Sequence, residues 1–207
     1  MRPLPRLHAI TDHGVLHDAD LGIRAAAIAA AGPAVALHVR DKGGTAAFLA
    51  RCAERFMSLA GPPEAAVIVN GRPDLARAVG AQGVQLGAGD LRTDDARRVL
   101  GNGWIGRSVH SVDQAGEAIA DGADYLVLGP IFETATHPDR QPLGLGVLRE
   151  AAALGCPVVA IGGITVARAE SVREAGAWGM AAIRALWEAK DPYAAAMEMV
   201  GLWAEPG

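Results

Sequence analysis

Eight short apolar runs punctuate this chain, and longer stretches of helical character separate them. The runs fall at 7–10, 34–39, 66–69, 83–86, 104–108, 125–128, 157–161 and 180–183. They are almost wholly apolar, as strands covered on both faces must be. Between them, 21–31 carries Ile23, Ile28 and several alanines, and 45–60 repeats Phe48, Leu49, Cys52 and Phe56 at three- and four-residue steps. Thr93 opens a helix with Asp94 and Asp95 in its first turn. Ser111 opens another over 112–121, and 166–175 ends at Gly176, a helix-stop signal. Strictly alternating strands and helices imply parallel strands joined by right-handed crossovers. Eight of them at about 25-residue spacing predict an α/β fold, a single (β/α)8 TIM barrel over 1–207. An open doubly wound sheet would call for a GxGxxG turn after an early strand, and the chain has none.

Composition narrows the ligand. Of the 207 residues, 51% are hydrophobic, enough for one sizeable core. The net charge of −4, with acids and bases intermixed, points away from nucleic acid, which needs a basic face. The longest uncharged apolar stretch, 25–37, is broken by Gly32 and Pro33 and is too short to span a bilayer. No signal-like run precedes the first strand. Cys52 and Cys156 stand alone, without CxxC or metal spacing. A cytoplasmic protein with reduced thiols and a small-molecule ligand is expected, away from membranes, with a homodimer left open.

In such barrels the active site is built from the loops after the strands. Gly162-Gly163 after strand 7 lets backbone amides approach a ligand where barrel phosphate sites lie, with Arg184 at the end of strand 8. His38, Arg40 and Lys42 alternate, so all three share one side of strand 2 and point into the mouth, suiting a polyanionic or carboxylate ligand. Asp90 after strand 4 either ligates Mg²⁺ or caps its own helix. Asn70 and Ser108 offer uncharged hydrogen bonds to a heterocycle. The connection 131–142, with Glu133 and His137, reads as a lid.

The segments LHAITD (7–12), HVRDK, VIVNGRPDLA, AVGAQGVQL, IGRSVHS, GADYLVLGPIFETATHP, PVVAIGGIT and AGAWGMAAI together resemble the family of thiamine phosphate synthase and its relative, the thiazole tautomerase TenI. The resemblance covers nearly the whole chain and implies the same barrel. It also implies one of two reactions. The synthase joins a pyrimidine methyl diphosphate to a thiazole phosphate, with Mg²⁺ holding the diphosphate. Arg40, Lys42, Asp90, Thr134, Thr136 and Pro130 match its pattern, whereas Gly71 replaces a metal-binding aspartate and His137 a lysine. The TenI-like tautomerase isomerises a thiazole carboxylate phosphate without a metal. LHAITD, His-x-Arg, Asn-Gly-Arg and Phe-Glu-Thr look closer to that branch. The expectation drawn here is the tautomerase, with no cofactor. Gly162, Gly163 and Arg184 would hold the phosphate, Arg40 and Lys42 the carboxylate, and His38 or His137 would move the proton. The synthase with Mg²⁺ on Asp90, and a non-catalytic thiazole or thiamine phosphate-binding regulator, are the alternatives.

Overall fold

The eight apolar runs become eight strands because each alternates between two buried surfaces. In the computed structural model, which describes residues 3–60, 65–134 and 140–203, the strands are β1 (Leu7–Ile10), β2 (Val35–Val39), β3 (Ala66–Asn70), β4 (Gly83–Leu86), β5 (Trp104–Val109), β6 (Tyr125–Leu128), β7 (Val158–Ile161) and β8 (Gly179–Ala182). All neighbours pair in parallel. β8 returns to β1 with Met180 opposite Leu7, so the sheet is a closed barrel in sequence order. The helices are α1 (His13–Leu16), α2 (Leu21–Ala29), α3 (Ala46–Ala60), α4 (Pro73–Val79), α5 (Thr93–Leu100), α6 (Val112–Ala120), α7 (Gly144–Ala152), α8 (Val166–Glu174), α9 (Arg184–Trp187) and α10 (Pro192–Gly201). The expected (β/α)8 barrel is therefore the observed fold, with every strand within two residues of its sequence position. The short α1, α4 and α9, together with α7 and α10, carry weaker sequence signals and emerge only here.

Period-two alternation produces two separate cores. Leu7, Val35, Leu37, Val39, Val67 and Val69 face outward and pack with helix residues such as Ile28, Phe56 and Leu148. Ala36, Ala66, Ile68, Tyr125, Val127, Val159 and Ala181 face inward and fill the barrel. The inner layer is tight. A Cβ on Gly106 would stand 2.2 Å from Tyr125 Cζ, so that strand carries glycine where the tyrosine fills the barrel axis.

Caps follow their sequence signals in part. Ser111 accepts from Gln114 N at the start of α6, as read. Thr93 does not cap α5: Arg92 takes the N-cap position, and Thr93 lies inside the first turn with its hydroxyl buried. Cys52 and Cys156 are free thiols, and burial pushes both up. Among the described residues no helix is long and apolar enough to cross a membrane.

Candidate active site

The C-terminal strand ends open on a cavity of about 1120 Å³. That slightly exceeds the range of about 300–1,000 Å³ usual for small-molecule sites. Arg40, Lys42, Asn70, Asp90, Ser108, Thr134, Gly162, Gly163 and Arg184 all line it, as their positions past the strands predicted. Thr136 and His137 lie outside the described residues.

The cavity has two poles. Arg40 and Lys42 leave β2, and Asp90 follows β4. Gly162 and Gly163 leave β7, and Arg184 begins α9 just past β8. The closed strand order sets β2–β4 across the mouth from β6–β8. Among the described residues, no ion pair engages Arg40, Lys42 or Arg184. Unneutralised cations around a concave site raise its affinity for anions. The glycine turn at the far pole is constrained. Gly162 has φ +98 and Gly163 φ +64; a Cβ on Gly162 would meet Pro130 Cα at 2.6 Å, and one on Gly163 the Glu133 carbonyl oxygen at 2.4 Å. Only glycine admits that backbone, which brings the loop before α8 to the cavity.

Between the poles lie neutral polar groups and one carboxylate. Gln85 Nε2 donates to Ser108 Oγ at 3.0 Å. Asp90 Oδ2 accepts the Gly87 N–H at 2.7 Å, so this aspartate does brace its own loop. Its Oδ1 accepts no hydrogen bond among the described residues. Gly71, at φ +72, brings the β3 loop so close that a Cβ there would lie 3.2 Å from that oxygen. Mg²⁺ takes one or two carboxylates and fills its remaining positions with water and phosphate oxygens. The donor set here fits such a shared ion and not an all-protein cage.

His38 does not reach the cavity. It is fully buried beneath the floor, its Nε2 2.8 Å from His8 Nδ1 and its Nδ1 3.0 Å from the Asn70 side-chain amide. His8 Nε2 in turn faces the Pro5 carbonyl at 3.2 Å. Burial first, then the neighbouring His8, holds His38 well below the usual histidine range, and burial pushes His8 down to about 4. Both rings are thus neutral and share two protons. The Pro5 carbonyl can only accept, so His8 carries its proton on Nε2. His38 Nε2–H then donates to His8 Nδ1, and His38 Nδ1 must receive a hydrogen. Asn70 Oδ1 stands at that nitrogen, so this proton order requires the Asn70 amide to be turned over, an assignment that rests on hydrogen-bond chemistry alone. With both nitrogens occupied and no exposure, His38 is a relay that orients Asn70, and the acid–base role expected for it is corrected. Period two placed it on the correct side of β2, but one step too deep.

Two wall residues escaped the sequence reading. His110 looks like a helix-start residue, and its N–H does donate to Gln114 Oε1. Its ring nevertheless lines the cavity, with Nδ1–H donating to Gly129 O at 2.6 Å and Nε2 accepting from Arg140 at 3.1 Å. Its place just past β5 was the available signal. Arg140, separated from the motifs in sequence, gave none.

A family profile described as thiamine monophosphate synthase matches residues 7–186. A thiamine-phosphate synthase of Prochlorococcus marinus (strain MIT 9313) is 45% identical over 150 residues, which cover 72% of this chain and 42% of that protein. One from Synechococcus sp. (strain WH7803) is 39% identical over 95% of this chain and 56% of its own length. The chain thus spans about half the length of these two relatives. One from Chloroflexus aurantiacus is 39% identical over 95% of this chain and 92% of its own length. Among solved structures, thiamine phosphate pyrophosphorylase from Pyrococcus furiosus superposes with a TM-score of 0.81 at 32% identity, covering 95% of this chain and 94% of that one. These relatives overturn the tautomerase expectation, since they carry the synthase name. On this match, the chain belongs to the thiamine monophosphate synthase family.

Proposed function

We propose that the protein is a thiamine-phosphate synthase, a transferase that joins a pyrimidine methyl diphosphate to a thiazole phosphate. The observation that carries this reading is the placement of Arg40 and Lys42 on one side of the cavity and of Gly162, Gly163 and Arg184 on the other. Two phosphorylated substrates that must meet need two such poles, and the names of the relatives point to the same reaction.

In this reading Arg40 and Lys42 bind the diphosphate, and Asp90 would hold a Mg²⁺ shared with it. When bound, Mg²⁺ neutralises charge that develops on the leaving diphosphate. The Gly162-Gly163 amides and Arg184 hold the thiazole phosphate. Asn70, through its side-chain amide, and Ser108 position a heterocycle, and Thr134 also lines the cavity wall. The carbon–oxygen bond between the pyrimidine methylene and diphosphate breaks, the diphosphate leaves with the bonding electrons, and the thiazole nitrogen supplies the pair for the new bond. No side chain has to shuttle a proton for that substitution, which agrees with a neutral, buried His38. Fixed cations aimed at the leaving group are the main catalytic resource.

The test is diphosphate release by purified protein given both substrates, with and without Mg²⁺. Formation of thiamine phosphate only with Mg²⁺ and both substrates is expected, and Arg40→Ala should lower kcat/KM by about 10²-fold or more. Aromatised thiazole made from a thiazole carboxylate phosphate alone, or no product at all, would overturn the assignment.

A further inference from the structure

We propose that the rim of the barrel carries a site for a zinc-class transition dication, formed by His13, His17 and Asp41. It lies on the loops after β1 and β2, where Asp41 stands between Arg40 and Lys42 at the edge of the cavity, and its argument does not use the reaction proposed above.

His13 and His17 are four residues apart in HGVLH, so α1 brings their side chains to one face. Asp12 holds that single turn, its carboxylate accepting Val15 N at 3.0 Å. Asp41 arrives from the neighbouring loop after β2. Its Oδ2 lies 3.0 Å from His13 Nδ1, while its Oδ1 accepts the Gly43 N–H at 3.0 Å. One donor atom from each of the three residues lies within 4.8 Å of the donors of the other two. Small side-chain rotations close that spacing to a shared ion.

Two further observations separate this cluster from an ordinary surface ion pair. His17 Nδ1–H donates to the His13 carbonyl oxygen at 2.8 Å, which leaves the ring's lone pair on Nε2. Metal-bound histidines take this arrangement, the outer nitrogen tied to a carbonyl so that the other can ligate. The His17 ring is also stacked on Phe48, 4.7 Å between centroids at 20°, and so is held in one orientation. The Asp41 side chain is 3% exposed and the His13 side chain 74% exposed. The carboxylate is therefore anchored, and the imidazole side is open to an ion arriving from solvent. Two imidazoles and a carboxylate suit zinc, copper or nickel, with water completing the shell, and not the all-oxygen preference of Mg²⁺.

The experiment is equilibrium dialysis of the full chain against Zn²⁺ alone, without Mg²⁺ or substrates. The expected result is one bound equivalent, weakened by about tenfold or more in His17→Ala and in Asp41→Asn, and unchanged in His110→Ala. His13 and His17 are exposed, so their variants leave the cores untouched; His17→Gln gives a second variant should His17→Ala perturb α1. Co²⁺ loading should give a visible band with wild type and not with His17→Ala. The proposal is overturned if the wild type binds Zn²⁺ no more tightly than His17→Ala, or if binding is lost with His110→Ala.

Discussion

His8 and His38 show what two neutral imidazoles inside a barrel cost and provide. Their folded-state pKa values are depressed by burial, His8 to about 4 and His38 well below its ordinary value of 6.5. Between those values and about 6.5 the unfolded chain takes up protons that the folded rings refuse. Stability therefore falls as pH drops below 6.5, by about 1.4 kcal/mol per pH unit for each ring, and these rings contribute no slope above it. Urea unfolding at about pH 7 and about pH 5 measures this. His38→Gln should remove one ring's share of the loss and leave the pH profile of turnover where it was. An undiminished loss would mean that other groups control the acid limb; a displaced turnover profile would return His38 to the chemistry.

The loop between β7 and α8 is the element on which the far pole depends. Gly163→Ala would place a methyl 2.4 Å from the Glu133 carbonyl oxygen, at a φ of +64 that L-residues avoid. The expected cost is about 1–3 kcal/mol of stability, with a higher KM for the thiazole phosphate and little change in that for the diphosphate. Gly146→Ala, on α7 with open space around its Cβ position, should instead stabilise by about 0.5–1 kcal/mol and leave both KM values alone. Thermal unfolding and steady-state kinetics on the pair distinguish a shaped anion turn from a loop that merely needs to be short. The place of this element at the mouth was legible beforehand, because the glycine pair follows a strand and precedes a helix. The Asn70–His38–His8 relay was not, because it joins β1, β2 and β3 through side chains whose depth along each strand depends on the barrel's stagger.

At the scale of the whole molecule, the barrel divides function from closure. The seam between β8 and β1 is fastened at the end away from the cavity. The Arg6 guanidinium lies 3.5 Å from the centre of the Trp178 ring and donates to Trp178 O at 2.7 Å, while Trp178 Nε1–H donates to Leu4 O at 3.2 Å. Arg6→Ala should lower stability by about 1–2 kcal/mol, the sum of a partly exposed cation–π contact and one hydrogen bond, with kcat and KM unchanged. A fall in kcat in that variant would show that the seam communicates with the mouth.

The sequence by itself determined the eight strands, their parallel order and the positions past them where polar residues gather. Each of these follows from short apolar runs alternating with helical stretches, a pattern written locally along the chain. Tertiary structure alone decided how deep each of those residues sits. Arg40 and Lys42, past the end of β2, line the cavity while His38, within the strand, lies beneath its floor. It also decided which residues distant in sequence become neighbours: Arg140 beside His110, Gly71 against Asp90, and Asp41 against His13. Such contacts are set by the closure and stagger of the barrel, a property of all eight strands together.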